Sequence, residues 1–285
     1  MAIKKKTMLT IEALKDIKEI LICPICREEL NVYENSVRCL NNHTFNISKQ
    51  GELFLLNTSH FKPSAIYDKE LFQNRRDFVR GRFYENVYSE IIKNIKNQSS
   101  EKDLIILDIG CGEGMHDEFV SQNLDIKHKF IGIDNSKDAI NMATDFTSDN
   151  LLFMVADVTN LPLKDKSVDV VVDILSPFNE SEINRVLSNN GVFIKVSPKE
   201  QYLAELRNAF GIPIYENEEK VSNNIMKKFS VLSKIEIHEK FDITKDQLRN
   251  LVKMNPLTKP LNGEESHDIS QITISLNVFV LGIVG

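Results

Sequence analysis

The sequence predicts an α/β fold: a doubly wound, mostly parallel sheet of seven strands behind a small metal-stapled module. Three observations carry this expectation. From Leu104 onward, short apolar runs (LIILD, KFIGID, LLFMVA, VDVVVDIL, GVFIKV) alternate with helical segments. Continuous apolar strands of this kind belong to parallel sheets covered on both faces. Ahead of them, Cys23, Cys26 and Cys39 fall within 17 residues, and after the first strand comes the turn Gly110-Cys111-Gly112-Glu113-Gly114.

The elements follow in order. Met8, Ile11, Leu14, Ile17 and Leu21 recur at helical spacing, so residues 1–21 read as an N-terminal extension with a short amphipathic helix. Residues 22–56, with turn residues among short strand-like pieces, form the metal module. Residues 57–67 read as a connecting loop, and 68–96 as helix in two stretches broken near Gly81; together 57–100 join the module to the main domain, 101–285. There the five apolar strands alternate with helices at Asp138–Phe146, Ser181–Leu187 and Glu200–Phe210. Strands at Lys234–Phe241 and Gln271–Val284 follow, the last closing the sheet as an antiparallel member.

Composition narrows the function classes. With 285 residues, 42% hydrophobic and 27% charged, the chain reads as an ordinary soluble globular protein. No apolar run approaches the roughly 18 residues that span a bilayer. Lys4–Lys6 near the start are followed by no uninterrupted apolar stretch, so the expectation is a cytoplasmic protein without a secretory leader or membrane contact. The net charge of −6 divides unevenly: residues 1–100 carry 16 basic and 12 acidic side chains, residues 101–285 carry 19 and 29. An acidic whole argues weakly against unspecific nucleic-acid binding, while the basic front leaves room for a local phosphate-binding surface.

Four cysteines in a reducing compartment do not make a disulfide framework. Cys23-Pro24-Ile25-Cys26 followed by Cys39 and His43 instead brings three thiols and an imidazole toward one tetrahedral centre, the arrangement of a closed structural zinc site. Cys111 and His60 are rival fourth ligands. A module of about 35 residues has too small a core to fold alone, and metal binding supplies what is missing.

The glycine turn follows a strand ending in Asp108. Glycines there let the backbone approach a ligand, as in dinucleotide sites. An acid just before the turn repels a pyrophosphate and suits a cation, and Met115 stands where the dinucleotide motif has its last glycine. Asp134 ends the next strand, within reach of ribose hydroxyls, and Asp157 ends the third, near an adenine amino group. Three strand-end acids around Gly110, Gly112 and Gly114 match S-adenosylmethionine and a class I methyltransferase. The alternative is that these acids only cap turns and helices.

Taken together, the CPIC…C…H module, Tyr67-Asp68-Lys69…Arg75-Arg76-x-Phe78, LDIGCGEG and the late Met254-x-Pro256 resemble the bacterial 23S rRNA (guanine-N1)-methyltransferases of RlmA type, from about Leu21 onward. The resemblance implies a zinc-bearing RNA-recognition module, a class I catalytic domain, methylation of guanine N1 in a large-subunit rRNA hairpin, and homodimers. It makes Cys23, Cys26, Cys39 and His43 the zinc ligands. It also brings Tyr84, Glu113 and Gly114 to the cofactor, with Tyr202 where some members have a cofactor-side histidine. Asn255 in Met254-Asn255-Pro256 departs from the family's usual threonine.

Arg75, Arg76, Arg80 and Arg82, interleaved with Phe78, Phe83 and Tyr84, form the densest basic and aromatic stretch and are expected to meet RNA. Their alternative is a solvated helix face over core phenylalanines. Guanine N1 carries a proton at neutral pH; Asp173, ending the VDVVVD strand, is the candidate base, and Phe178 in Ser176-Pro177-Phe178 the candidate stacking partner. A small-molecule methyltransferase with an appended zinc module, or a catalytically silent relative that binds cofactor or RNA, would share these motifs.

Overall fold

The computed structural model describes residues 2–56, 66–99, 103–124, 128–213, 218–261 and 268–283. His60 and most of the loop expected over 57–67 lie outside the described residues. Strands β1 (Leu30–Val32), β2 (Ser36–Cys39) and β3 (Thr44–Asn46) form a small antiparallel sheet. The main sheet runs β10-β11-β9-β8-β5-β6-β7-β4. Its strands are β4 (Leu53–Phe54), β5 (Ile105–Ile109), β6 (Lys129–Asp134), β7 (Leu151–Val155), β8 (Val168–Ile174), β9 (Leu187–Pro198), β10 (Phe229–Asp242) and β11 (Gln271–Ile283). All neighbours are parallel except β11, which pairs antiparallel with both β9 and β10.

Seven of these strands are the ones the sequence marks. The eighth, β4, comes from the end of the front module and pairs parallel with β7 through Leu53↔Met154 and Phe54↔Val155. A two-residue strand carries no periodicity to read. Strand β5 pairs with β6 on one side and β8 on the other. The strand order therefore reverses there, opening a crevice at the carboxyl ends of the strands, where α/β sheets take their ligands.

Alternate strand residues feed two cores. Ile106, Phe130, Phe153 and Val170 pack on one face with Val87, Tyr88, Ile91 and Ile95 of α3 (Glu85–Gln98). Leu107, Ile131, Met154 and Val171 pack on the other with Ala13, Leu14 and Ile17 of α1 (Ala2–Ile17) and with Leu21, Leu30 and Val37 of the ribbon. Helix α1 begins earlier than the apolar spacing suggests and stops at Ile17, where a short 3₁₀ turn (Lys18–Ile20) leads into the module.

The extension has an architectural reason. The connection between β7 and β8, residues 156–167, forms no helix, so α1 and the ribbon cover that part of the sheet. The ribbon is sewn to this connection by the Leu21↔Leu163 bridge, with Ile22 N donating to Pro162 O (3.0 Å) and Lys164 N to Ile20 O (2.8 Å). Arg27 donates to Asn160 Oδ1 (2.8 Å) and Leu161 O (3.2 Å), and Asn160 Nδ2 to Pro24 O (2.8 Å). From the sheet side, Arg185 of α6 (Glu180–Val186) also holds Leu161 O.

The remaining helices are α2 (Lys69–Val79), α4 (Met115–Gln122), α5 (Lys137–Ala143), α7 (Ala204–Ala209), α8 (Glu218–Lys228) and α9 (Lys245–Met254). Asp68 caps α2 by accepting from Leu71 N, and the expected break at Gly81 separates α2 from α3. The helix expected over 200–210 is confined to α7, because Leu203 adopts a left-handed φ of 54° at its start. Among the described residues, no helix is long and apolar enough to cross a membrane.

Candidate active site and metal centre

The turn after β5 brings the candidate residues together. Gly110 and Gly112 sit at φ of 74° and 59°. A Cβ on Gly110 would stand 2.5 Å from Ser176 Oγ, and one on Gly112 3.3 Å from Arg75 Nη1. Gly110 therefore requires glycine for backbone angle and for space, and Gly112 for backbone angle. Asp134, at the end of β6, staples the turn: its carboxylate accepts from Gly112 N (3.0 Å) and from Ser136 N (2.7 Å).

Around this turn the acids are buried. Asp108, Glu113 and Asp117 are 2%, 1% and 4% exposed. Among the described residues, Asp108 Oδ1, both carboxylate oxygens of Glu113 and Asp117 Oδ2 have no hydrogen-bond partner. Burial pushes the Asp108 carboxyl up, and contact with the Asp117 carboxyl pushes it further. Burial likewise raises Asp117 to about 7. Two carboxyls in contact in a dry site cannot both ionise, so the pair holds a proton. Glu113 and Asp134 are raised by burial, and the Arg75 guanidinium opposes the rise in both.

Above the turn lies a ring of hydroxyls. Tyr84 and Tyr202 meet hydroxyl to hydroxyl at 2.8 Å, and Tyr88 hydrogen-bonds His116 Nδ1. Burial pushes His116 down to about 3, so its imidazole is neutral. Left-handed residues set both tyrosines: Arg82 (φ 67°) precedes Tyr84 by two positions, and Leu203 (φ 54°) follows Tyr202. Strain of this kind costs about 1–3 kcal/mol per residue and collects where side chains must be aimed.

Several expected residues stand differently from their expected roles. Asp173 is fully buried and paired with Lys195 Nζ at 2.9 Å; its Oδ1 also accepts from Ser176 N (3.0 Å) and Ser176 Oγ (2.9 Å). Burial raises its carboxyl and Lys195 opposes the rise. A carboxylate so engaged holds the turn after β8, where Leu175 has φ 61° and Ser176 Oγ also donates to Ile109 O (2.8 Å). All three contacts fall on Oδ1; Oδ2 is buried and, among the described residues, has no hydrogen-bond partner. Phe178 is half-buried between Phe193 and Phe229, beneath Lys195 Nζ, rather than presented as an open stacking face. Asp157 is exposed, and its Oδ1 takes Thr159 N (2.8 Å) and Thr159 Oγ1 (2.7 Å).

The four arginines separate. Arg76 is buried, donating to Asp145 (2.9 Å), Met142 O (2.7 Å) and Glu113 O (3.2 Å), which takes it away from any phosphate. Arg75 leans over Gly112. Arg80 and Arg82 remain on the surface, pairing with Asp77 and Glu85.

Some residues of the site escape a reading of the sequence alone. Asp117 lies three residues past Gly114, on the first turn of α4 and facing back to β5. Lys195 has a visible signal, a lone cation inside the apolar run GVFIKV, which asks for a buried partner.

The metal centre is compact. The Sγ atoms of Cys23, Cys26 and Cys39 and a ring nitrogen of His43 lie within 4.8 Å of one another. Cys39 Sγ is 3.4 Å and Cys23 Sγ 3.6 Å from His43 Nδ1, and Cys26 and Cys39 sulfurs are 3.6 Å apart. Tetrahedral zinc with Zn–S of about 2.3 Å separates its ligands by roughly 3.5–3.8 Å, so the four donors fit it. Backbone donation from Glu28 lowers the Cys26 thiol to about 6. Cys111 is buried at the glycine turn, away from this cluster.

Residues 100–255 match the family described as Methyltransferase domain. The chain belongs to the methyltransferase-domain family. Its front, residues 21–64, matches the RlmA N-terminal zinc ribbon. A Bacillus subtilis (strain 168) protein, YxjB, with the provisional name 23S rRNA (guanine-N1)-methyltransferase, is 37% identical over 192 residues, 65% of this chain and 66% of the relative. The Streptomyces fradiae 23S rRNA (guanine(748)-N1)-methyltransferase is 25% identical over 249 residues, 85% of this chain and 86% of the relative. Among solved structures, a chain from the complex between the Haloferax volcanii Trm112 methyltransferase activator and a methyltransferase superposes with a TM-score of 0.50 at 17% identity. It covers 78% of this chain and 99% of that one, which supports the shared fold.

The residues of this methyltransferase fit S-adenosylmethionine. Buried, unpartnered carboxylate oxygens at Asp108, Glu113 and Asp117 answer its positive charges, and Gly110–Gly114 leaves the backbone bare for close approach. Asp134 ends the strand next to the turn, where a ribose diol would lie.

Two outcomes follow. The folded carboxyl pair binds a proton that the unfolded chain, with carboxyls near 4, releases. Stability through this pair is therefore present at low pH and falls as pH rises from about 4 through about 7. Asp117→Asn is expected to raise the Tm at pH 8, by less at pH 5, and barely to change it at pH 3, measured by scanning calorimetry. Structural zinc contributes on the order of 10–16 kcal/mol to small modules. Removing it by chelation is expected to expose the amides of Ile22 and Lys164 together in hydrogen exchange while β5, β6 and β8 stay protected; retained protection at Lys164 would show that the 156–167 connection stands without the ribbon.

Proposed function

We infer that the protein transfers a methyl group from S-adenosylmethionine to guanine N1 of large-subunit (23S) ribosomal RNA, in the cytoplasm, as a pair of identical chains. In this reading residues 22–56 recognise the RNA and 101–285 carry the transfer, with 57–100 joining them and 1–21 bracing the sheet. The observation that carries it is the fusion, in one chain, of an RlmA ribbon to a glycine turn ringed by unpartnered buried carboxylates. The ribosomal substrate is supported by the names of the relatives the chain resembles.

When bound, the donor would supply an electrophilic methyl group on its sulfonium; as N1–CH3 forms and S–CH3 breaks, S-adenosylhomocysteine is released and the N1 proton passes to water. The chain's own residues do the positioning. Asp108, Glu113 and Asp117 hold the cationic amino-acid end, Asp134 the ribose and Asp157 the adenine, while Tyr84 and Tyr202 close the pocket above them. Asp173 acts as a positioning residue: with Lys195 and Ser176 it fixes the strained Leu175–Ser176 turn beside Gly110, with Phe178 as its apolar footing. Alignment of this kind can contribute about 7–11 kcal/mol to a bimolecular transfer. Arg80 and Arg82 steer the RNA backbone, and the target guanine must leave its stack for N1 to be reached.

Primer extension tests the reading, because a methyl on N1 blocks base pairing. Ribosomal RNA from cells containing the protein is expected to stop reverse transcriptase beside one guanine, and RNA from cells lacking it to read through. Identical traces would overturn the ribosomal assignment. Asp134→Ala is expected to weaken S-adenosylmethionine binding about 10- to 100-fold in calorimetry; unchanged affinity would remove Asp134 from the site.

A further inference from the structure

Arg75 and Arg76 are neighbours in sequence with opposite circumstances. Arg76 is buried and its donors meet carbonyls and Asp145. Arg75 is half-buried, and its guanidinium lies against Phe72, 5.3 Å from the ring centroid. Its Nη1 reaches to 3.3 Å from the Cβ position of Gly112, so it rests on the glycine turn itself. Among the described residues no side chain or carbonyl accepts a hydrogen bond from it. Its charge nevertheless bears on Glu113, Asp134, Tyr84 and Tyr202, all facing the same crevice.

A guanidinium presents five donors in a planar fork that matches a carboxylate. The acids around the turn answer cations and ribose hydroxyls; of the two arginines beside it, Arg76 is taken up by Asp145 and carbonyls, which leaves Arg75 to meet an anion. S-adenosylmethionine and its product each carry one anion, the α-carboxylate of the amino-acid end. We propose that Arg75 clamps that carboxylate against the Gly112 turn; the proposal rests on reading this crevice as the donor site. RNA phosphate is the competing ligand, and depth decides against it. Arg80 and Arg82, with side chains 59% and 75% exposed, are the ones turned to solvent, whereas Arg75 sits on the turn that the donor would cover.

Calorimetry on the full-length, zinc-loaded chain tests the assignment with two probes, S-adenosylhomocysteine and 5′-methylthioadenosine, which keeps the adenosine and sulfur but lacks the amino-acid end. Arg75→Gln is expected to weaken S-adenosylhomocysteine about 10- to 100-fold, the range of a charge-assisted hydrogen bond. Affinity for 5′-methylthioadenosine stays within about twofold, which also shows that the variant is folded, and Arg75→Lys recovers part of the loss. Equal weakening of both probes overturns the clamp in favour of a general role in pocket shape. Unchanged S-adenosylhomocysteine binding, with a shallower salt dependence of RNA binding, overturns it in favour of phosphate. A wild-type chain that binds neither probe would instead sink the donor-site reading beneath it.

Discussion

Burying several carboxyl groups beside one another is the constraint on which the rest of the site depends. Asp108, Glu113 and Asp117 crowd the end of β5 and the first turn of α4 without partners for all their oxygens. A buried polar atom left unpaired costs about 1–3 kcal/mol, and an ionised one more. The fold tolerates this in three ways. Asp108 and Asp117 share a proton, Arg75 offsets the field at Glu113 and Asp134, and Asp134 spends its oxygens on backbone amides. Asp173 is handled differently, with a full ion pair to Lys195. The acids whose oxygens stay unpartnered beside the glycine turn are Asp108, Glu113 and Asp117, and a positively charged ligand there relieves what Arg75 only partly offsets.

A second dependence runs from the zinc ribbon to the sheet. The metal-binding knuckle holds Arg27 at φ 65°, with Arg27 N bonded to Cys23 O at 2.8 Å. From that position Arg27 reaches Asn160 and Leu161, in the connection that begins at Asp157. The module is thus a structural part of the sheet's cover as well as an appendage in front of it. Lys6–Asp145 and Lys129–Asp16 pairs place α1 along the same side. Exposed pairs of this kind contribute little energy; burial of Ala13, Leu14 and Ile17 does the holding.

How much of this was legible varied with the kind of signal. Apolar runs of five to seven residues announced β5 to β8, and the CPIC spacing announced the four metal donors, because both patterns are local. The strand-end positions of Asp108 and Asp134 followed from the runs that precede them. The sequence did not reveal which arginines face solvent: α2 packs against α5 and the glycine turn, and a helical face cannot show its neighbours. The ion pair of Asp173 is hidden for a similar reason: its partner, Lys195, lies 22 positions away on the adjacent strand. Helix α9, with its Thr244–Gln247 capping box, carried a readable start signal that the apolar pattern overshadowed; β4 is too short to carry any.

Formal charge was the least faithful guide. A net of −6 counts every acid as if it faced water, and read that way it speaks against an RNA partner. Yet Asp108, Glu113, Asp117 and Asp173 are each less than 5% exposed. One proton is held between Asp108 and Asp117, and Lys195 neutralises Asp173. Their fields act mainly inside the crevice, where low polarisability strengthens them, and are weakened outside it by salt over about 8–10 Å. The surface that a polyanion meets is set by different residues, among them the exposed Arg80 and Arg82 and the excess of basic over acidic side chains in residues 1–100. An acidic interior facing a cationic donor and a basic front facing a phosphate backbone are therefore compatible within one acidic chain, because burial keeps the two fields apart.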